Sequence, residues 1–297
     1  SHLLHAIELA CSLHASRLVL ATFTTHLYYV FIIFISLQIL MEQFPNIYVA
    51  IVPTYGLLAQ LYVTQCSLTI IQLQGFNVSG IFKIHPEGTE PFYVLCDLTT
   101  AGGGWTVFQN RFDGSQDFYR SWSDYKHGFG NLAGEFWLGL EKLHYLTNQK
   151  LYEVRIELET QSGHDAYAAY SVLTIGPEYE GYRISTLGTY YGTAGDSLSY
   201  HAGQKFSAYD ADNDEWKDGS CSVEHGGAWW YKECDKSNLN GIYVTPNEHR
   251  SQTVYWISFK GPNMPLTRTK MMIRPLPARR PLEYLNAGRV MSARTFP

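Results

Sequence analysis

The sequence lacks the short motifs that mark common hydrolases, zinc peptidases and nucleotide-binding proteins. It contains no GxSxG nucleophile turn, no HExxH motif and no GxxxxGK[ST] loop. Charged residues make up only 16% of the sequence and the formal net charge is −5, so no nucleic-acid partner is expected. No CxxC pair occurs, which argues against tetrahedral zinc. These absences favour a binding protein over an enzyme.

A long run near the N-terminus also lacks charged side chains. The run from Leu18 to Met41 contains no Asp, Glu, Lys or Arg, and it exceeds the roughly 20 residues that span a bilayer. Residues 1–65 could therefore hold a signal anchor (a type II membrane protein), a signal peptide (a secreted protein) or translated non-coding sequence. An export or anchor signal is the favoured interpretation. If the protein is exported, Asn77 in an Asn-Val-Ser sequon is a candidate N-glycosylation site.

The chain has five cysteines. Cys66, Cys96, Cys221 and Cys234 allow three pairings, and the spacing alone does not choose among them. Cys11 is left over in the N-terminal segment. Disulfides between these residues would place the protein in an oxidising compartment.

The pattern beyond Cys66 predicts an α+β domain around a mainly antiparallel sheet. From Tyr152 to Leu158 apolar residues alternate with charged ones, which is typical of a strand with one buried and one wet face. Further strands are predicted at 105–108, 166–175, 254–259 and 269–273, and helices at 121–125 and 135–146. Residues 277–297 have the composition of a loose tail.

An acidic cluster stands out near the third of these four cysteines. Asp210, Asp212 and Asp214 alternate along the chain, and Glu215 and Asp218 follow closely. Ca²⁺ takes six to eight oxygen ligands, and closely spaced aspartates can supply some of them. The spacing is not that of an EF-hand, whose sixth position is Gly and twelfth is Glu. A cation site and a solvated acidic turn both fit the residues.

Six motifs follow one another in a fixed order along the chain. They are GFNVSGI at 75–81, GGGWTVFQ at 102–109, GEFWLG at 134–139, DADND at 210–214, AWWY at 228–231 and SNLNG at 237–241. In these motifs the protein resembles the fibrinogen C-terminal-like domain of ficolins, tachylectins, angiopoietins and fibrinogen, over about residues 66–276. The resemblance implies a mainly antiparallel α+β fold with short helices and a loop-rich, calcium-binding ligand subdomain.

The resemblance also implies two disulfides, one metal site and one unusual peptide bond. The disulfides would be Cys66–Cys96 and Cys221–Cys234. The ligands of one Ca²⁺ would be the side chains of Asp212 and Asp214 and the carbonyls of Trp216 and Asp218. The bond between Glu233 and Cys234 would be cis.

Many lectins of this family bind acetyl groups in a pocket beside the metal site, and this protein departs from their pattern. The pocket positions hold His225, Asp235, Arg250 and Ser251 where those lectins have tyrosine, histidine and a Tyr-Ala pair. Glu224 and Glu233 lie nearby. An acetyl methyl needs an apolar aromatic cup, which these residues do not obviously make. A charged or amine-bearing ligand, such as a peptide terminus, is the alternative.

The expected function is extracellular, calcium-dependent recognition without catalysis. The first hypothesis is lectin-like binding of glycans or acetylated ligands in innate recognition. The alternative is a protein- or peptide-binding module, either a receptor ligand of the angiopoietin type or a fibrinogen-like peptide binder. The sequence has neither Gly-X-Y repeats nor heptads. A homo-oligomer would therefore form through the domain or the N-terminal helix, and a membrane contact only through that helix.

Overall fold

The computed structural model describes residues 78–243, 253–261 and 265–276. Several predictions of the sequence lie outside these ranges. They concern the apolar run 18–41, Cys66, Asn77, Arg250, Ser251 and the tail 277–297. In the described ranges, no helix is both long and apolar enough to cross a membrane.

The described residues fold into many short strands and four short helices. The strands are β1 (Gly80–Ile84), β2 (Phe92–Asp97), β3 (Trp105–Arg111), β4 (Phe129–Gly130), β5 (Phe136–Trp137), β6 (Tyr152–Thr160), β7 (Asp165–Ile175), β8 (Ile184–Leu187), β9 (Tyr190–Gly192), β10 (Ser237–Asn238), β11 (Tyr255–Trp256) and β12 (Leu266–Pro275). The helices are α1 (Trp122–His127), α2 (Leu140–Gln149), α3 (Cys221–Glu224) and α4 (Ile257–Lys260). Short 3₁₀ turns lie at Thr100–Gly102, Glu178–Glu180 and Ser199–His201.

One large sheet forms the body of the domain, with the strand order β1-β2-β3-β12-β6-β7-β8. β5 pairs with β3 and β4, β9 pairs with β7, and β10 with β11 forms a separate two-stranded sheet. All of these strand pairs are antiparallel. β12, the last strand, lies between β3 and β6 and so completes the centre of the sheet. The α+β class and the mainly antiparallel sheet are confirmed.

The alternation in β6 is realised as predicted. Tyr152, Val154, Ile156 and Leu158 are buried, because side chains two apart share one face of a strand. Glu153 is the exception on the other face: it is buried and accepts hydrogen bonds from Arg274 at 2.9 and 2.7 Å. The sheet therefore also carries polar contacts on its second face.

The predicted helix at 135–146 begins later than expected, at Leu140. Glu135 is not helical because its carboxylate accepts backbone N–H groups of the turn at 112–116. β5 then pairs with β3 and β4. Gly139 follows with φ of +116°, and a Cβ there would lie 2.8 Å from the backbone of His127. This glycine separates strand from helix. The other predicted helix, at 121–125, is confirmed as α1, with Ser121 as its N-cap.

The predicted strand at 254–259 is wrong after Trp256. Ile257 starts α4, which Gly261 closes with an N–H···O bond of 2.9 Å back to Ile257. Ser258 bonds to the loop at 196–197 instead of to a neighbouring strand. A short apolar run with β-branched and aromatic residues does not distinguish a strand from a helical turn.

Aromatic side chains join the sheet to the loops that follow β9. The ring of Phe206 lies 5.9 Å from Trp137 of β5 and 5.1 Å from Trp230, measured between centroids. Trp229 and Trp230 are both buried. Both side chains are therefore part of the packed core.

The end of β3 anchors the SNLNG turn at 237–241. Arg111 is fully buried and donates to the carbonyls of Leu239 and Gly241. Gln109 donates to the Leu239 carbonyl at 2.9 Å and to the Asn240 side chain at 3.2 Å. Burial lowers the pKa of Arg111 to about 10, so the guanidinium stays charged at neutral pH. β3 of the large sheet thus fixes a turn whose own regular structure is limited to the two residues of β10.

Candidate functional site

A disulfide-braced turn forms the base of the site. Cys221, at the start of α3, and Cys234 form a disulfide with an S–S distance of 2.09 Å. The Glu233–Cys234 peptide bond is cis. Both features were predicted and both are confirmed. Cys96 is also disulfide-bonded, but its pairing with Cys66 stays a prediction because Cys66 lies outside the described residues.

A buried histidine supports this turn from below. His201 Nε2 accepts the backbone N–H of Lys236 at 3.2 Å, and its Nδ1 lies 2.7 Å from the Trp230 carbonyl. Nδ1 must therefore carry the proton and donate, which makes His201 neutral. Burial lowers the pKa of His201 to about 4. The turn at 233–236 is thus held by a side chain as well as by the disulfide.

Three polar side chains meet above the turn. His225 follows α3, Asp235 follows Cys234, and Tyr255 lies on β11. The Tyr255 hydroxyl donates a short hydrogen bond to Asp235 Oδ1 and lies 3.4 Å from His225 Nδ1. His225 Nδ1 in turn lies 3.5 Å from Asp235 Oδ2. The side chain of His225 is 23% exposed and that of Asp235 only 2%, so the histidine faces solvent over a buried carboxylate.

Asp235 is the buried carboxyl group of this cluster. Burial raises its pKa, while the charge of His225 and the hydrogen bond from Tyr255 act in the opposite direction. Its Oδ2 atom is buried and, within the described residues, accepts no hydrogen bond. A buried acceptor without a donor costs free energy, so this atom favours a ligand that brings an N–H or O–H group.

The fold holds His225 in place through the anchored turn. Asn238 donates to the His225 carbonyl at 3.1 Å and accepts from the Tyr231 hydroxyl at 2.9 Å. The Tyr231 ring lies 6.1 Å from the His225 ring. Asn240 donates to the Ala228 carbonyl at 3.1 Å. Buried amides therefore connect the site to β3 through the SNLNG turn.

The acidic cluster forms a tight loop just before α3. Asp214 Oδ1 accepts the N–H of Trp216 at 2.9 Å, and its Oδ2 accepts the N–H of Cys221 at 2.8 Å. The N–H of Asp214 itself donates to Asp212 Oδ1 at 3.2 Å. Burial raises the pKa of Asp214, and the adjacent Asp212 carboxyl raises it further, against two backbone hydrogen bonds that lower it. Asp210 is used elsewhere, since it accepts the N–H of Trp122 at 2.7 Å.

These residues fit a hard cation that is bound partly by the backbone. Asp212 and Asp214 interact side chain to side chain, and a cation would relieve their repulsion. The carbonyls of Trp216 and Asp218 accept no hydrogen bond from any described residue, so they are free to coordinate. In the same ranges no three His, Cys, Asp or Glu side chains gather as a metal cluster. Carbonyls and water would have to complete the shell, as is common for Ca²⁺.

The structure brings some of the predicted ligand-binding residues together. His225 and Asp235 are in contact, whereas Glu224 is exposed at the end of α3 and Glu233 is exposed in the turn before Cys234. Tyr255 was missed as a site residue. The sequence only placed it in the strand predicted at 254–259. No feature of that segment indicated that β11 would bring Tyr255 to Asp235.

Comparison with known proteins agrees with this architecture. Residues 64–276 match the family described as fibrinogen beta and gamma chains, C-terminal globular domain. Human microfibril-associated glycoprotein 4 is 45% identical over 212 residues, covering 69% of this chain and 82% of that protein. The fibrinogen-like globe domain of human ANGPTL2 has a TM-score of 0.69 and 41% identity, and the match covers 72% of this chain and 100% of that one.

A lamprey fibrin D-dimer, solved with a Gly-His-Arg-Pro-amide peptide ligand, is a more distant neighbour. Its TM-score is 0.67 at 26% identity, covering 94% of this chain and 96% of that one. Fibrinogen-like domains are non-enzymatic binding modules of extracellular recognition. The matched region contains every described strand, the Cys221–Cys234 disulfide and the anchored SNLNG turn. The protein belongs to the family formed by the C-terminal globular domains of the fibrinogen beta and gamma chains.

Proposed function

We propose that this domain binds an amine-bearing group of a protein or peptide at His225, Asp235 and Tyr255. The observation that carries the proposal is the buried Oδ2 atom of Asp235, which lacks a donor among the described residues. A protonated amine supplies up to three N–H donors and a charge opposite to the carboxylate. A peptide amino terminus or a lysine side chain has this chemistry. The lamprey fibrin complex, in which a relative holds a peptide, supports the same class of ligand.

An acetylated sugar is the competing ligand, and the same residues suit it less well. The carbonyl of an acetyl group is an acceptor and cannot pair with Asp235 Oδ2, and the amide N–H and hydroxyls of such a sugar are donors without the positive charge that a protonated amine brings to the carboxylate. The methyl group needs an apolar cup, whereas His225 and Asp235 present polar atoms. Calcium-dependent, lectin-like recognition of glycans is therefore the second candidate. It is favoured by the resemblance to lectins of the family.

We infer that Ca²⁺ bound by Asp212 and Asp214, with the carbonyls of Trp216 and Asp218, braces the loop that leads into α3. The ion would offset the repulsion of the two carboxylates, and the ligand would then meet a preformed surface. Asp214 already bonds to the N–H of Cys221, which links the proposed ion to the disulfide.

The protein is proposed to act outside the cell. Stable disulfides form and persist in oxidising compartments, which agrees with the Cys221–Cys234 bridge. A single site of this kind would bind weakly, so several copies in a homo-oligomer would raise the overall affinity by avidity.

The ligand class is tested by equilibrium binding with a matched pair of peptides. One has a free amino terminus and the other carries an N-terminal acetyl group, with N-acetylglucosamine as a third ligand. The free amine should bind at least about tenfold more tightly than the acetylated peptide, which corresponds to about 1.4 kcal/mol. Tight and competable binding of N-acetylglucosamine would reject the proposal in favour of the lectin.

Two variants test whether the preference for the free amine arises at this site. Asp235→Asn removes the charge and should abolish the preference for the free amine. Asp165→Asn, an exposed carboxylate on β7, is the control and should keep it. If both variants retain the preference, the amine binds elsewhere.

Calcium is tested by thermal unfolding with CaCl₂ or with EGTA. At a concentration of about 100 times the Kd, a ligand of the folded state adds about 2.7 kcal/mol to the free energy of unfolding. Asp212→Asn should remove this effect. Asp218→Asn should retain it, because only the backbone carbonyl of Asp218 is proposed as a ligand. Equal melting curves in Ca²⁺ and EGTA for the unsubstituted protein would refute the metal site.

A further inference from the structure

A second polar surface lies beside the turn at 233–236, which we call the Cys234 turn, and it is built around Tyr200. The ammonium nitrogens of Lys232 and Lys236 lie 5.5 and 5.4 Å from the centroid of the Tyr200 ring. None of the ion pairs among the described residues includes either lysine. We call these three side chains the Tyr200 surface. Two cations without carboxylate partners in the described ranges therefore share one aromatic ring.

The ring is held in a fixed position by the fold. The Tyr200 hydroxyl donates to the Glu233 carbonyl at 3.1 Å. The ring meets His201 edge to face, with centroids 5.4 Å apart and an interplanar angle of 86°. His201 is itself fixed by its bonds to the Trp230 carbonyl and to the Lys236 N–H. A surface whose parts are fixed before binding loses less entropy when a ligand arrives.

The Tyr200 surface is separate from the proposed amine site. Within the described residues, no hydrogen bond, ion pair or ring contact joins its three side chains to His225, Asp235 or Tyr255. Its charge is also opposite, since it carries two ammonium groups whereas the amine site contains the buried carboxylate of Asp235. One Cys234 turn thus carries two surfaces that suit ligands of opposite sign.

We propose that the Tyr200 surface binds a sulfated sugar of an anionic polysaccharide. Each ammonium group offers three N–H donors to sulfate oxygens. The partly exposed Tyr200 ring beside them can pack against the C–H face of a sugar ring, which an acidic peptide does not provide. Glu233, exposed in the same turn, opposes the anion and limits the affinity.

The test measures binding of a heparin octasaccharide to the full-length protein, against the same octasaccharide with its sulfates removed. Lys232→Gln and Lys236→Gln should each weaken binding about threefold and the double variant about tenfold, as for exposed ion pairs. Glu233→Gln should strengthen binding by about twofold. Because the charges are exposed, added salt should weaken binding.

Three controls decide between explanations. Lys83→Gln removes a lysine that lies over Tyr93, at 5.7 Å from the ring centroid, and should leave heparin binding unchanged. Asp235→Asn should also leave it unchanged, so that failure of the amine site and failure of the Tyr200 surface are distinguishable. Polyglutamate of equal charge tests whether an acidic peptide binds the surface as well as the sulfated sugar does.

The proposal would be overturned by equal binding of the desulfated sugar, equal binding of polyglutamate, or an equal loss in Lys83→Gln. Loss of heparin binding in Asp235→Asn would show that the two surfaces are not separate and would also refute it.

Discussion

Mild acid should destabilise the domain through one buried side chain, His201. Its pKa falls from the ordinary value of 6.5 to about 4 in the folded state, because burial disfavours the charged imidazolium. Between these pH values the unfolded protein binds a proton that the folded protein does not. The contribution of His201 to the free energy of unfolding is therefore fully present above about pH 6.5. It decreases as the pH falls and levels off below about pH 4. At about 1.36 kcal/mol per pH unit, the loss is about 3 kcal/mol.

The measurement is urea unfolding under non-reducing conditions at several pH values from about 7 to 4. His201→Gln retains groups that can donate to the Trp230 carbonyl and accept from the Lys236 N–H, but it has no titrating ring. Its free energy of unfolding should fall by about 3 kcal/mol less over this range than that of the unsubstituted protein. His164→Gln, at an exposed position between β6 and β7, keeps the buried histidine and should follow the unsubstituted protein. Parallel curves for the unsubstituted protein and His201→Gln would refute the reasoning.

Two further predictions concern the frame of the site. Arg111→Met should lower the free energy of unfolding by about 3–5 kcal/mol, because it leaves buried turn carbonyls without their donor. Arg120→Met, at an arginine that is only partly buried and lies 5.9 Å from the Phe129 ring, should cost less than about 1 kcal/mol; similar losses for both would contradict the anchoring role. Replacing Cys221 and Cys234 together by Ser should cost about 2–5 kcal/mol in urea unfolding, and an unchanged midpoint would show that the bridge does not stabilise the loop.

The sheet could be predicted largely from local pattern. The alternation from Tyr152 to Leu158 predicts β6 correctly, because one wet face and one buried face impose a period of two. The helix predicted at 121–125 also forms, as α1, and the structure shows Ser121 as its N-cap. Strand order could not be predicted in this way. Nothing local shows that β12, the last strand, pairs between β3 and β6.

The site could be predicted only in part, and mainly through the family resemblance. That resemblance led to the Cys221–Cys234 bridge and the cis bond before Cys234, while the metal ligands stay predictions. It did not reveal Tyr255, because the contact with Asp235 spans 20 residues and depends on the pairing of β10 with β11. The role of Arg111 was also hidden, since its partners are backbone carbonyls about 130 residues away, which leave no side-chain signature.

Because the SNLNG turn is anchored to β3, the residues that fix the loops differ from the residues whose side chains contact solvent. The buried amides and the guanidinium bond to main-chain carbonyls, which every residue type possesses, so a change of side chain at 225 or 233 leaves these bonds in place. Such a division lets one scaffold acquire new specificities by substitutions at the rim alone. Related domains can therefore diverge in what they recognise long before they diverge in shape.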